Sequence, residues 1–432
     1  MNHNQQLYYL CVVTKLFRNK KTFEILEIKD YRNFILARFF LTLAIQMQMT
    51  AISLQVYYEH TKSFLVLGLI SLCEVIPYII TSFYSGHAAD TLDRRKIILT
   101  GIFSLLIGSV FLYAFCLDSF SFLKQFAYYP LLAVVVMFGF VRAFLGAAMP
   151  SFMSQLIPRV QYTNSAVWNS LVWHTGSILG PVLAAFIYGY NNALDAKTTY
   201  MVNCILLCIA FVAIFRISSK PLAEKTKEES IWNSLKIGVR FVFTNKMLLS
   251  ALSLDLFAVL FGGAVSMLVA FNDQVLHANP AAFGWLRTAP AIGAVFMALI
   301  MVAKPPSKRA GVALLWAVIA FGLFTILFAF STTFWMAFLM LFLTGAFDNI
   351  SVVVRHSILQ LMTPENMRGR VSAVNGIFIG SSNEIGGFES GLAASLMGLV
   401  RSIAFGGCMT VLVVLGVNKL NPKLKKLDLT EY

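Results

Sequence analysis

Charge is scarce in this 432-residue sequence. Only 12% of its residues are Asp, Glu, Lys or Arg, against 58% hydrophobic, and the mean hydropathy is +0.74. Such values exclude an ordinary water-soluble chain, because the apolar runs repeat at membrane-spanning length. Acidic residues are the rarer sign, 20 against 34 basic, for a net charge of +14. That excess falls in short loops between apolar runs, which matches the basic bias of cytoplasmic loops and not a nucleic-acid surface. Nucleic acid is therefore not an expected partner.

Cysteine and histidine are also few, six of each. Cys204 and Cys208 lie one helical turn apart, but no histidine or second pair lies nearby, so packing is expected and not metal binding. His174 and His356 are far apart, and no HExxH or GxSxG pattern appears, so neither an enzyme nor a metal or cofactor is expected. Nor is a cleavable signal peptide expected: the early run Tyr8–Val13 is too short, and basic residues follow it. Neither the N-terminal tail nor the central linker is large enough for a soluble domain.

Twelve apolar segments remain, near 33–55, 64–86, 97–117, 130–153, 165–188 and 200–217, then 248–271, 283–303, 311–330, 334–360, 371–395 and 402–418. The expected fold is all-α, twelve transmembrane helices in two pseudo-symmetric six-helix bundles. Residues 1–30 read as a cytoplasmic tail, 31–217 as the first bundle, 218–247 as a cytoplasmic linker, 248–418 as the second bundle and 419–432 as a cytoplasmic tail. Arg94, Arg95, Lys96, the linker, Lys304, Lys308, Arg309, Arg368, Arg370 and the C-terminal lysines fall on one side, so both termini are expected in the cytoplasm. A constant shift of 206 residues matches Gly139 to Gly345, Pro158 to Pro364, Asn169 to Asn375 and Gly180 to Gly386, an internal repeat.

A charge inside the bilayer is costly, so it should face protein or water. The third, sixth, ninth and twelfth segments carry none, which makes them lipid-facing. The others carry Arg38, Glu74, Arg142, His174, Asp255, Arg287, Asp348, Arg355, Glu384 and Glu389. On the tenth segment Thr344, Asp348, Ser351 and Arg355 share a stripe. Asp348 lies near mid-membrane, and its repeat partner is Arg142. The two either form a proton-carrying pathway or a fixed ion pair. Asp255 lies two turns from the cytoplasmic end, where snorkelling or pairing with Arg38 competes with a coupling role.

Pro364 should stop the tenth helix. In the eleventh segment Gly376, Gly380, Glu384, Gly387 and Gly391 share a face suited to close helix approach. Asn375, Ser382 and Glu389 form a second, polar stripe. Proton-coupling candidates are thus Asp348, Arg142, Asp255, Glu74, Glu389 and Glu384. Candidates for a substrate cavity are Arg38, Arg355, Asn375, Ser382 and Ser351.

Between the second and third segments, Gly86-His-Ala-Ala-Asp90-Thr-Leu-Asp-Arg94-Arg95 resembles the signature loop of major facilitator transporters, with Thr91 in place of the usual basic residue. Gly86 would permit close helix approach, Asp90 would cap the next helix or pair with a base, and the arginines would hold the loop at the anionic face. Arg142-Ala-Phe-Leu-Gly146 resembles the family's fourth-helix motif, whose arginine is associated with proton coupling. Gly176-Ser-Ile-Leu-Gly180-Pro181 resembles the exporter motif of the fifth helix, with Ala185 where its closing glycine stands, and Gly180-Pro181 should bend that helix.

Gln55–Glu59, Asp255–Gly263 and the run from Met367 through Ser381-Ser382-Asn383-Glu384 to Gly391 resemble the branch of enterobactin exporters and macrolide-efflux relatives. The resemblance implies a secondary active exporter of a siderophore-like metabolite or an amphipathic drug, working by proton antiport and alternating access. It would be a monomer in the cytoplasmic (inner) membrane, with a small-molecule substrate, protons and the phospholipid bilayer as partners. The gating loops would use Gly86, Asp90, Arg94, Arg95, Arg368 and Arg370.

Overall fold

The computed structural model describes residues 24–117, 122, 125–158, 161–189, 195–218, 231–303, 308–364 and 367–429; within these, the side chains of Asp90 and Arg368, among others, are not described. The basic tail before residue 24, the loop residues 304–307 and elbow residues 365–366 lie outside the described residues. Among the described residues the structure is helical throughout, without strands.

The helices are α1 Lys29–Gln55, α2 Phe64–Thr91, α3 Arg94–Phe115, α4 Tyr129–Leu156, α5 Tyr162–Tyr188 and α6 Ala196–Phe215, then α7 Ile231–Thr244. They continue with α8 Lys246–Phe261, α9 Leu268–Gln274, α10 Pro280–Ala303, α11 Ala310–Ala329, α12 Phe334–Met362, α13 Arg368–Met397 and α14 Leu399–Leu420. The seventh span is α8 and α9 joined by a 3-10 turn, Ala264–Met267. The break falls at Gly262-Gly263, where a Cβ on Gly263 would come within 2.7 Å of the Gly386 carbonyl oxygen. A side chain there would force the two backbones apart.

Eleven spans are long and apolar enough to cross a membrane. The twelfth, α13, has 30 residues, ample for a crossing. It escapes that measure because Asn375, Asn383, Glu384, Glu389 and its glycines and serines dilute its apolar residues. The fold is therefore the expected one, twelve spanning helices, six on each side of the linker.

Helix ends follow local chemistry. α12 stops at Met362, with Thr363 extended (φ −103°, ψ 120°), as the following Pro364 requires. Gly398, at φ +87°, makes the turn between α13 and α14, a conformation that only glycine adopts without strain. α7 was not anticipated in the linker. It buries Gly238 and Val242 against its own unit while Lys236, Ile237, Arg240 and Phe243 stay exposed, the division expected of an interfacial helix.

The chain forms two compact units. One is built from described residues of Met1–Ile52 and Ile80–Glu224, the other from Ser53–Ile79 and the described residues of Lys225–Tyr432. In the first unit, α1 and α5 run parallel in a fixed register. The Tyr31 hydroxyl donates to the Ser165 carbonyl, while Gly176 sits against Thr42 and Gly180 against Gln46, Leu43 and Met47. All three main pairings differ by 134 in sequence. A buried polar triad ties α1, α3 and α6: Ser109 and Asn203 both donate to Gln48 Oε1, at 2.6 and 2.5 Å.

In the second unit, Gly386 of α13 meets the carbonyls of Val259 and Leu260 on α8. Gly180 and Gly386 are the pair matched by the 206-residue shift. Each lies on the fifth span of its half and meets the backbone of the first span of that half. The repeat is thus one of packing as well as of sequence.

Candidate functional site

Two groups of charges gather in the second unit. The first grows from α12. Thr344, Ser351 and Arg355 share a helical stripe, and all three are buried. Facing that stripe, α8 brings Asp255, which is 6% exposed. Arg355 and Asp255 form a direct ion pair. Asp348, two turns before Arg355 on the same helix, lies within electrostatic reach of both. Protein atoms surround it, yet part of its surface stays accessible. This set holds two carboxylates and one guanidinium inside the spanning region.

The partner of Asp255 is Arg355 and not Arg38, which the sequence offered beside snorkelling and a coupling role. Arg38, on α1 of the first unit, is half-buried, and its Nε is buried without a hydrogen-bond partner. Arg142 is half-buried on α4 of the first unit. Arg355, a candidate for the substrate cavity, is 5% exposed and paired with Asp255.

The second group follows from the way α2 packs on α13. A Cβ on Gly391 would meet the Phe64 carbonyl at 2.7 Å and Gly68 Cα at 2.8 Å. One turn along, Gly387 lies against Ser71, and two turns further Gly380 lies against the Tyr78 ring at 3.1 Å. As one number rises the other falls, so the helices run antiparallel, and each pair sums to 458 or 459. The same register sets Glu74 opposite Glu384. Arg287 of α10 interacts electrostatically with both, most strongly with Glu384. Sequence reasoning noted Arg287 but left it out of the candidate site; an arginine inside a span was signal enough.

The remaining candidates fall elsewhere. Of the glycine stripe, Gly387 and Gly391 pack closely, while a Cβ on Gly376 would meet nothing within 4 Å. The tightest part of that face therefore lies in the half of α13 nearer Met397. In the polar stripe, Asn375 and Ser382 are buried, Ser382 donating to the Ile379 carbonyl at 3.1 Å, while Asn375 Oδ1 has no hydrogen-bond partner. Glu389 is half-buried and bonded to the Ser390 side chain.

In the signature loop one of the two roles expected of Asp90, the helix cap, falls to another residue. Asp90 lies in the last turn of α2, and the residue that caps α3 is Asp93, which accepts from the Arg95 amide at 2.9 Å. Among the described residues nothing lies within 4 Å of a would-be Cβ on Gly86. Arg94 donates to the Ala89 carbonyl at 2.8 Å. Arg95 donates to the Phe215 carbonyl at 2.7 Å, covering the C-terminal end of α6, where a cation is favoured. Arg370 lies at the start of α13, its backbone beside Gly238 of α7. α5 runs unbroken through Gly180 and Pro181.

Comparison with known proteins agrees with this architecture. The chain is 20% identical to the staphyloferrin A transporter of Staphylococcus aureus over 83% of its length and 88% of that protein's. It is 24% identical to the multidrug efflux pump Tap of Mycolicibacterium fortuitum, covering 86% and 90%, and 24% identical to the enterobactin exporter EntS of Salmonella choleraesuis, covering 76% and 77%. Among solved structures, the nucleoside transporter NupG superposes with a TM-score of 0.71 at 13% identity, over 90% of this chain and 98% of that one. The family model described as Major Facilitator Superfamily matches residues 34–386. With twelve spans, six to a half, and a family match over most of its length, the chain belongs to the Major Facilitator Superfamily and is a multi-pass membrane transporter.

Proposed function

We propose that the protein exports a small secreted metabolite of siderophore type, by proton antiport and alternating access, from the cytoplasmic (inner) membrane. The observation that carries this reading is the set Asp255–Arg355–Asp348. In a low-dielectric span, two carboxylates beside one guanidinium leave a charge that a proton can balance. Arg355 holds Asp255 as its partner, which leaves Asp348 as the carboxylate that gains and loses the proton. A group that changes charge without leaving its helix can favour one exposure of the pathway over the other. The names of two relatives, a staphyloferrin A transporter and an enterobactin exporter, support a metal-chelating cargo.

In this reading the protein is a monomer, and residues 31–217 and 248–418 are its two six-helix bundles. Both termini lie in the cytoplasm, supported by the basic residues of the loops. The test compares culture supernatants of the host with and without the gene, under iron limitation, by untargeted mass spectrometry. Selective loss of one iron-chelating metabolite is the expected result, and Asp348→Asn should reproduce it while still inserting in the membrane. Unchanged supernatants would refute the siderophore reading.

A second reading, efflux of a cationic amphipathic drug, is favoured by one specific observation. Arg355 and Arg287 both lie beside carboxylates and so offer little to an anionic cargo. A drug-susceptibility panel on the same strains separates the two.

A further inference from the structure

We propose that Glu74, Arg287 and Glu384 form a second proton site, distinct from the Asp348 set, so that the transporter binds two protons in each cycle. The inference rests on the proton-antiport reading and adds a site and a stoichiometry to it.

Its basis is the α2–α13 register. Gly68 with Gly391, Ser71 with Gly387 and Tyr78 with Gly380 fix an antiparallel seam without slack, since backbone meets backbone at its upper end. Glu74 and Glu384 occupy the one matched pair left between Ser71 and Tyr78, so two carboxylates face each other across a close helix contact. Glu74 is 5% exposed, and Arg287 is the cation that interacts with both. Two carboxylates beside one guanidinium leave one net negative charge in such a place, which a single proton bound between the carboxylates balances.

The two sets have different members. Gly386, two residues after Glu384, points about 200° away around α13 and meets α8, the helix that carries Asp255. The charges acting on Arg287 are Glu384 and Glu74, and those acting on Asp348 are Asp255 and Arg355.

The groups facing this seam from the neighbouring elements are few. α2 adds Ser71 and Tyr78, and the 3-10 turn adds Ser266. α7 packs along the start of α13, where Gly238 meets the Arg370 backbone about 21 Å from Glu384 along the axis. On α14, Arg401 lies beyond the far end of α13. Glu389 points away from the seam and bonds Ser390.

The test is infrared difference spectroscopy of the full-length protein in lipid, following the C=O stretch of protonated carboxylic acid through a pH titration. The probe is the proton itself, so no substrate is needed. Wild type should show two protonated groups. Asp348→Asn should remove about half of the signal, and Glu384→Gln should remove the other half. Glu74→Gln should remove the same half as Glu384→Gln, and the double variant no more than either, which is the mark of a shared proton and not of two independent acids. Full signal in both glutamine variants overturns the proposal, as does additive loss in the double variant. Should one variant fail to fold on size exclusion, the other carries the result. If Asp348→Asn changes nothing while the glutamine variants do, the coupling role of Asp348 fails and this site stands.

Discussion

Adding one methyl group along α13 should have three different effects, depending only on position. At Gly391 a Cβ would lie 2.7 Å from the Phe64 carbonyl oxygen, 2.8 Å from Gly68 Cα and 2.9 Å from Gly68 N. Ordinary contact begins near 3.4 Å, so about 0.7 Å must be found, and all three neighbours are backbone atoms that no rotamer change can move. The helices must separate, at about 1–3 kcal/mol for overpacking of this kind. At Gly380 the neighbour is the Tyr78 ring at 3.1 Å, the end of a side chain that can give by a few tenths of an ångström. At Gly376 the methyl meets nothing within 4 Å, and alanine is the better helix former by up to ~1 kcal/mol.

Thermal unfolding of the purified protein in detergent, read by fluorescence, should therefore rank Gly376→Ala above Gly380→Ala and both above Gly391→Ala. Gly391→Ala should also disturb the Glu74–Glu384 register. Equal midpoints for Gly391→Ala and Gly376→Ala would refute the account of the seam.

The buried ion pair gives a second expectation. Asp255→Asn leaves Arg355 without its partner and should cost about 3–5 kcal/mol, whereas Asp255→Leu combined with Arg355→Met should cost less than the sum of the two single changes. Strict additivity in unfolding midpoints would show that the pair contributes nothing as a pair. In the first unit, Asn203→Leu removes a donor from Gln48 Oε1 in a fully buried triad and should destabilise by about 1–3 kcal/mol, while Ser104→Ala, at an exposed hydroxyl, should leave the midpoint unchanged. A stable Asn203→Leu would mean the triad is not what ties α1 to α6.

Some site expectations rested on a motif or on depth in the membrane alone: close approach at Gly86, a cap as one of two roles for Asp90, and Arg38 as one of the alternatives for Asp255. Depth along one helix is readable from sequence, since every residue rises by a fixed step. The azimuth at which two helices meet is not, because it depends on which ridges fill which grooves. α7 was legible in principle, since Leu235, Val239 and Val242 recur at helical spacing. The surrounding charge of the linker drew the reading away from it.

What the sequence determined by itself was the set of spans, the proline stop at Thr363-Pro364 and the repeat of 206 residues. These are local or periodic properties: apolar length must match the bilayer, and proline removes a donor wherever it stands. What only the tertiary structure decided was partnership. Asp255 with Arg355, Glu74 opposite Glu384 and Arg287 beside both depend on the register of helices far apart in the chain. That register is set by backbone contact at a few glycines, and it becomes definite only when the helices pack.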